Sequence, residues 1–140
     1  AREWFEQAAA QGYAEAQNNL GLMYHDGQGV AQDYAKARTW WEKAAAQGDA
    51  IAQFNLGVMY HDGHGVVQDY AKACEWFEKA AAQGDTGAQN NLGLMYCDGR
   101  GVAKDLSKAR EWFEKAATQT KNVENTKVER QVRRALKEMR

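Results

Sequence analysis

The stretch Ala16–Gly48 reads AQNNLGLMYHDGQGVAQDYAKARTWWEKAAAQG, and it returns twice further along the chain. Leu20-Gly21 comes back as Leu56-Gly57 and Leu92-Gly93, and Tyr24 as Tyr60 and Tyr96. Gly27-x-Gly29 comes back as Gly63-x-Gly65 and Gly99-x-Gly101, and Trp40 as Trp76 and Trp112. The offset is 36 residues each time. A constant period of this length marks a solenoid, in which one supersecondary unit stacks on the next and buries its apolar face only against its neighbours.

Each unit reads as two helices. In the first complete unit, Ala16, Leu20, Met23 and Tyr24 fall at i, i+4, i+7 and i+8, one face of a helix over about 14–25. Gly27 stops that helix by taking the left-handed conformation, and Gly29 permits a second bend. Asp33 then caps a second helix over about 34–47, its carboxylate accepting free amide N–H groups of the first turn. Ala37, Trp40, Trp41, Ala44 and Ala45 form the buried face of that helix, with the ladder Trp4, Trp40, Trp76 and Trp112 expected in the core. Lys43 complements the C-terminal end of the helix dipole, Gly48 closes the unit, and Asp49 caps the next.

The chain divides accordingly. Residues 1–12 match 37–48 and form the second half of a repeat, so the chain reads as a piece of a longer solenoid or a processed form, with an open apolar N-terminal end prone to self-association. Complete repeats occupy 13–48, 49–84 and 85–120, the second identical to the first at 27 of 36 positions. The third ends in Thr118 and Thr120 where the first has Ala46 and Gly48, which reads as the end of the array. In 121–140, Val128, Val132, Leu136 and Met139 suggest a C-terminal capping helix over about 123–137.

Composition narrows the function. Residues 1–120 carry 11 Lys+Arg against 16 Asp+Glu, and residues 121–140 carry 7 against 3. The repeat body has no basic stripe for nucleic acid, and the basic tail reads as the solvated face of a helix. A mean hydropathy of -0.76 without a long apolar run leaves no membrane-spanning segment. No G-x-S-x-G, S-x-x-K or H-E-x-x-H pattern occurs, so no catalytic residues are expected. Gly27-x-Gly29 is part of a phosphate-loop pattern, but it recurs as a helix stop in every unit and is read as structural.

The pattern A-x-x-x-L-G-x-M-Y-x-D-G-x-G-V-x-x-D-x-x-K-A-x-x-W-x-x-K-A-A-x-x-G resembles the Sel1-like repeat, a subfamily of the tetratricopeptide-like solenoids. It is matched at Ala16–Gly48, Ala52–Gly84 and Ala88–Ala117, with a half repeat at Ala1–Gly12. The resemblance implies an all-α, right-handed superhelix of antiparallel helix pairs, the first helix of each pair lining the concave surface. It also implies a scaffold or adaptor that holds a protein or peptide. Some cysteine-rich members are linked to β-lactam binding or hydrolysis, which makes an enzyme of that kind one alternative and a structural spacer another. Those members carry a cysteine pair in every repeat, and this chain does not.

On that reading the groove is a set of stripes from the first helices: Asn18, Phe54 and Asn90; Asn19, Asn55 and Asn91; Leu22, Val58 and Leu94; His25, His61 and Cys97. Asparagine amides can hold an extended peptide backbone or satisfy polar groups between helices. Phe54, standing where its neighbours have asparagine, is either a central hot spot or an inter-helix packing residue. Equivalent residues of adjacent repeats stand roughly 10 Å apart. The ladder of His25, His61 and Cys97 therefore cannot share one metal, whose ligands lie within about 2.3 Å. His61 and His64 flank a loop and would need further ligands. No metal or cofactor is expected. Cys74 takes the place of Arg38 and Arg110 and is expected to face solvent, Cys97 faces the groove, and both are expected to be free thiols.

Overall fold

The computed structural model describes residues 2–120 together with 134, 135, 137 and 138. Seven helices follow one another among the described residues, and no strand occurs there. They are α1 (Arg2–Ala10), α2 (Ala14–Asp26), α3 (Tyr34–Ala46), α4 (Ala50–Asp62), α5 (Tyr70–Ala82), α6 (Thr86–Asp98) and α7 (Leu106–Thr120). They pack as the antiparallel pairs α2–α3, α4–α5 and α6–α7, and each pair stacks on the next. The expected helix over 123–137 lies mostly outside the described residues; of that segment, Ala135 packs against the third core cluster.

The boundaries follow the turn chemistry. Gly27, Gly63 and Gly99 close the first helices at φ near +70°, each amide donating to the carbonyl of Met23, Met59 or Met95. Asp33 and Asp69 accept the Lys36 and Lys72 amides, and Asp49 and Asp85 accept the Ala52 and Ala88 amides. The backbone of each pair is pinned once more where Asp33, Asp69 and Asp105 donate their N–H to the carbonyls of Tyr24, Tyr60 and Tyr96.

The core lies in three clusters. The first holds Ala9, Ala16 and Leu20; the second holds Ala37, Trp41, Leu56 and Met59; the third holds Ala73, Phe77, Leu92, Met95 and Phe113. Small residues set the helix spacing. A Cβ on Gly57 would stand 2.6 Å from the Phe77 ring, and the same collision holds for Gly21 with Trp41 and Gly93 with Phe113. The buried ring is therefore that of Trp41, Phe77 and Phe113. This corrects the expectation for Trp4, Trp40, Trp76 and Trp112. Trp40, Trp76 and Trp112 are only half-buried, each lying under a lysine: Lys43, Lys79 or Lys115, with the ammonium 4.5–4.6 Å from the ring centroid. Lys43 thus covers an indole as well as standing near a helix end.

Buried glutamines stitch the repeats. Gln17, Gln53 and Gln89 donate their side-chain amides to the carbonyls of Ala9, Ala45 and Ala81, which end the helix before. Gln47 and Gln83 donate in turn to the side-chain oxygens of Gln17 and Gln53, at 2.8 Å each. A buried amide left unpaired costs about 1–3 kcal/mol, so these bonds make the stacking register specific.

Candidate functional site

Two seams separate the three helix pairs; Asn18, His25, Asn55, Val58, His61, Asn91 and Leu94 lie along them, whereas Asn19 lines a cavity at the N-terminal end. The first seam joins α2–α3 to α4–α5, the second α4–α5 to α6–α7. Leu22 and Leu94 are exposed, while Asn18, Asn19, His25, Asn55, Val58, His61, Asn91 and Cys97 are half-buried. Asn90 is buried, 6% exposed, and does not open onto the groove. Asn55 Nδ2 donates to Asn18 Oδ1 at 3.2 Å across the first seam, the satisfying role that sequence reasoning left open for the asparagines. Phe54 takes its packing role: its ring lies 5.7 Å from that of Phe77 and closes over Gly87, where an added Cβ would meet it at 3.0 Å.

The G-x-G turn does more than stop a helix. Gly65, at φ +71°, presses against Tyr34 of the preceding pair, and Gly101, at φ +72°, presses against the backbone of Tyr70; a Cβ on either would collide. The middle residue of the turn is carried into the seam by that approach. His64 thereby meets His25, with 3.4 Å between Nδ1 and Nε2, and stacks on Tyr34 with ring centroids 5.3 Å apart and planes 10° apart. Arg100, at the matching place one repeat on, lies over the Tyr70 ring at 5.4 Å. Sequence reading missed Arg100 as a groove residue and treated His64 as a neighbour of His61. The available signal was non-recurrence, since the middle position runs Gln28, His64, Arg100 inside an otherwise fixed motif.

The seams consequently differ. In the first, His25, Tyr34, Trp41 and His64 form a continuous ring cluster, with His25 5.1 Å from Tyr34 and 5.4 Å from Trp41. Trp41 also donates its indole N–H to the Asn18 carbonyl at 3.1 Å. In the second, Phe77 replaces Trp41, and a cavity of about 360 Å³ opens. Val58, Phe77, Leu94 and Met95 make its apolar wall; His61, Asn91, Asp62, Asp98 and Arg100 supply polar groups. A mainly apolar hollow with a few convergent polar groups suits a ligand side chain. Among the described residues, no group of three or more His, Cys, Asp or Glu is placed to hold a metal.

Cys74 corrects a second expectation. It is buried behind the second seam, its Sγ 3.4 Å from Met95 Sδ and donating toward the Arg100 carbonyl at 3.6 Å. Burial pushes its thiol up to about 11, with Glu78 and Glu75 adding to the effect. Cys97 is half-buried, its thiol also raised chiefly by burial, and the two cysteines are not bridged.

A larger cavity, about 500 Å³, lies at the N-terminal end between Trp4, Phe5, Ala8, Tyr13 and Ala14. Trp4 and Tyr13 are 64% and 62% exposed there.

The Sel1 repeat profile matches residues 1–13, 14–49, 50–85 and 86–121. Among solved structures, the chain is similar to a protective antigen present in uropathogenic Escherichia coli strains that displays an SLR fold. The identity is 51% and the TM-score 0.82, over 84% of this chain and 25% of that one. A Sel1 repeat protein from Oxalobacter formigenes is 38% identical with a TM-score of 0.80, over 84% of this chain and 48% of that one. Helicobacter pylori cysteine-rich protein B is 26% identical with a TM-score of 0.66, over 84% of this chain and 90% of that one. The chain thus spans a quarter to a half of the length of the first two. No curated protein matches the sequence.

Proposed function

The chain belongs to the Sel1 repeat family, and on that premise we propose that it is a non-catalytic scaffold that binds a protein or peptide along its groove. Sel1 repeat solenoids commonly serve as interaction scaffolds. The observation that carries the reading here is the second-seam cavity, where an apolar wall meets His61, Asp62, Asn91, Asp98 and Arg100. Leu94, 44% exposed at its edge, is the residue a ligand would cover first. Leu22, Asn19 and Cys97 extend the same face.

Selection of a displayed peptide library on the wild-type chain tests the groove. Peptides that enrich should lose about tenfold or more in affinity for Leu94→Ala and Arg100→Ala, as removal of anchor contacts does. Equal binding by wild type and both variants would remove the second seam as the site.

A further inference from the structure

Asp26, Asp62 and Asp98 end the first helices of the three repeats, but only two of them have an imidazole beside them. Asp26 Oδ1 lies 2.8 Å from His25 Nδ1, and Asp62 Oδ1 lies 2.8 Å from His61 Nδ1. In the third repeat Cys97 takes the place of the histidine, and Asp98 lines the second-seam cavity without it. We propose that this cavity, given its place in the peptide groove on which the proposal rests, takes a segment in which an apolar side chain such as leucine or phenylalanine stands next to a lysine or arginine, and that Asp98 holds the cation.

The apolar half follows from the wall. Val58, Phe77, Leu94 and Met95 line a volume of about 360 Å³, near the lower end of the range for ligand pockets, so it suits one side chain rather than a whole ligand. The cationic half follows from charge. Asp98 is exposed, and its carboxylate forms no ion pair with a described residue. Lys104, on the turn that follows, is exposed and does not pair with it. Cys97 gives it no counter-charge, because burial and then Asp98 itself push the thiol up and keep it protonated. Asp62 and Asp98 are the last residues of α4 and α6, where the helix dipoles add negative potential. Around the cavity two carboxylates therefore face one guanidinium, and residues 1–120 as a whole carry 11 Lys+Arg against 16 Asp+Glu. Arg100 is already seated over the Tyr70 ring. Together with Asn91 it serves the carbonyl oxygens of the ligand backbone, for which both side chains have N–H donors.

The first seam is an internal control. Its aspartate, Asp26, is engaged by His25, and the rings of His25, Trp41 and His64 occupy the space that an anchor needs.

The displayed library, selected on the whole chain, reads both halves. Enriched peptides should carry Lys or Arg next to the apolar side chain well above the frequency in the unselected library. Selection on Asp98→Asn should keep the apolar residue and lose the basic one. A synthetic peptide from the wild-type selection should bind Asp98→Asn about threefold to fivefold more weakly, the effect of one exposed ion pair, and the difference should shrink as salt rises. Cys97→His gives the third repeat the imidazole of the other two. With helicity by circular dichroism unchanged, it should engage Asp98 and weaken the same peptide by a similar factor. Enrichment of Asp or Glu beside the apolar residue overturns the proposal, as does equal affinity for wild type, Asp98→Asn and Cys97→His; if binding still needs Leu94, the groove itself stands. Binding that no longer needs Leu94 removes the groove, and the proposal with it.

Discussion

The two seams are built on the same backbone turn, the same capping aspartates and the same buried glutamines, yet one is filled and the other hollow. Three exchanges account for the difference: Trp41 to Phe77, Asn18 to Phe54, and His64 to Arg100. In the first seam the indole reaches the Asn18 carbonyl and stacked rings complete the fill. In the second, Phe77 spends its contacts on Phe54, and Arg100 sits over Tyr70, its Cζ 5.4 Å from the ring centroid, so a volume of about 360 Å³ stays open. The comparison teaches that the repeat holds its fold with residues that recur and varies its surface with a handful that do not.

The harshest way to break the comparison is Phe77→Ala. This ring is 1% exposed and fills the space over Gly57, so its loss should cost about 3–5 kcal/mol in urea denaturation. A cost below 1 kcal/mol would mean that the hollow seam does not depend on its one large ring. Trp41→Phe sharpens the contrast by giving the first seam the ring of the second. It removes the indole bond to Asn18 and leaves a small void, and should cost about 1–2 kcal/mol by the same measurement. The mildest test compares Asn55→Ala with Asn91→Ala. Asn55 donates to Asn18 across the first seam, so its loss should cost about 0.5–1 kcal/mol. Phe54 replaces that acceptor in the second seam, so Asn91→Ala should change stability by only a few tenths of a kcal/mol. Equal effects at the two positions would show that the asparagine pair does not distinguish the seams.

The architecture was legible because period, caps and glycine stops all point to one backbone. α2 and α3 begin at the expected residues and end within one residue of expectation, at Asp26 and Ala46. Burial was less legible wherever two aromatic residues adjoin. Trp40 and Trp41 are equally apolar, and only the helix phase set by Gly21 decides that Trp41 goes inward and Trp40 lies under Lys43. Cys74 was misplaced for a related reason. Its counterpart Arg38 runs along the surface on a long stem to Glu42, at 3.4 Å, whereas a short thiol stays against Met95. The face of the first helices could be written down from spacing alone. The middle residue of the G-x-G turn could not, because it enters the seam only through contact between Gly65 and the preceding repeat, which local spacing does not reveal.

That close seat of Gly65 on Tyr34, and of Gly101 on Tyr70, also bears on how such an array diversifies. The glycines supply the close approach, so the residue between them can change its chemistry while the turn keeps its seat. Each further repeat therefore brings one more variable side chain to the same place in the turn. Glutamine, histidine and arginine at 28, 64 and 100 are three such side chains.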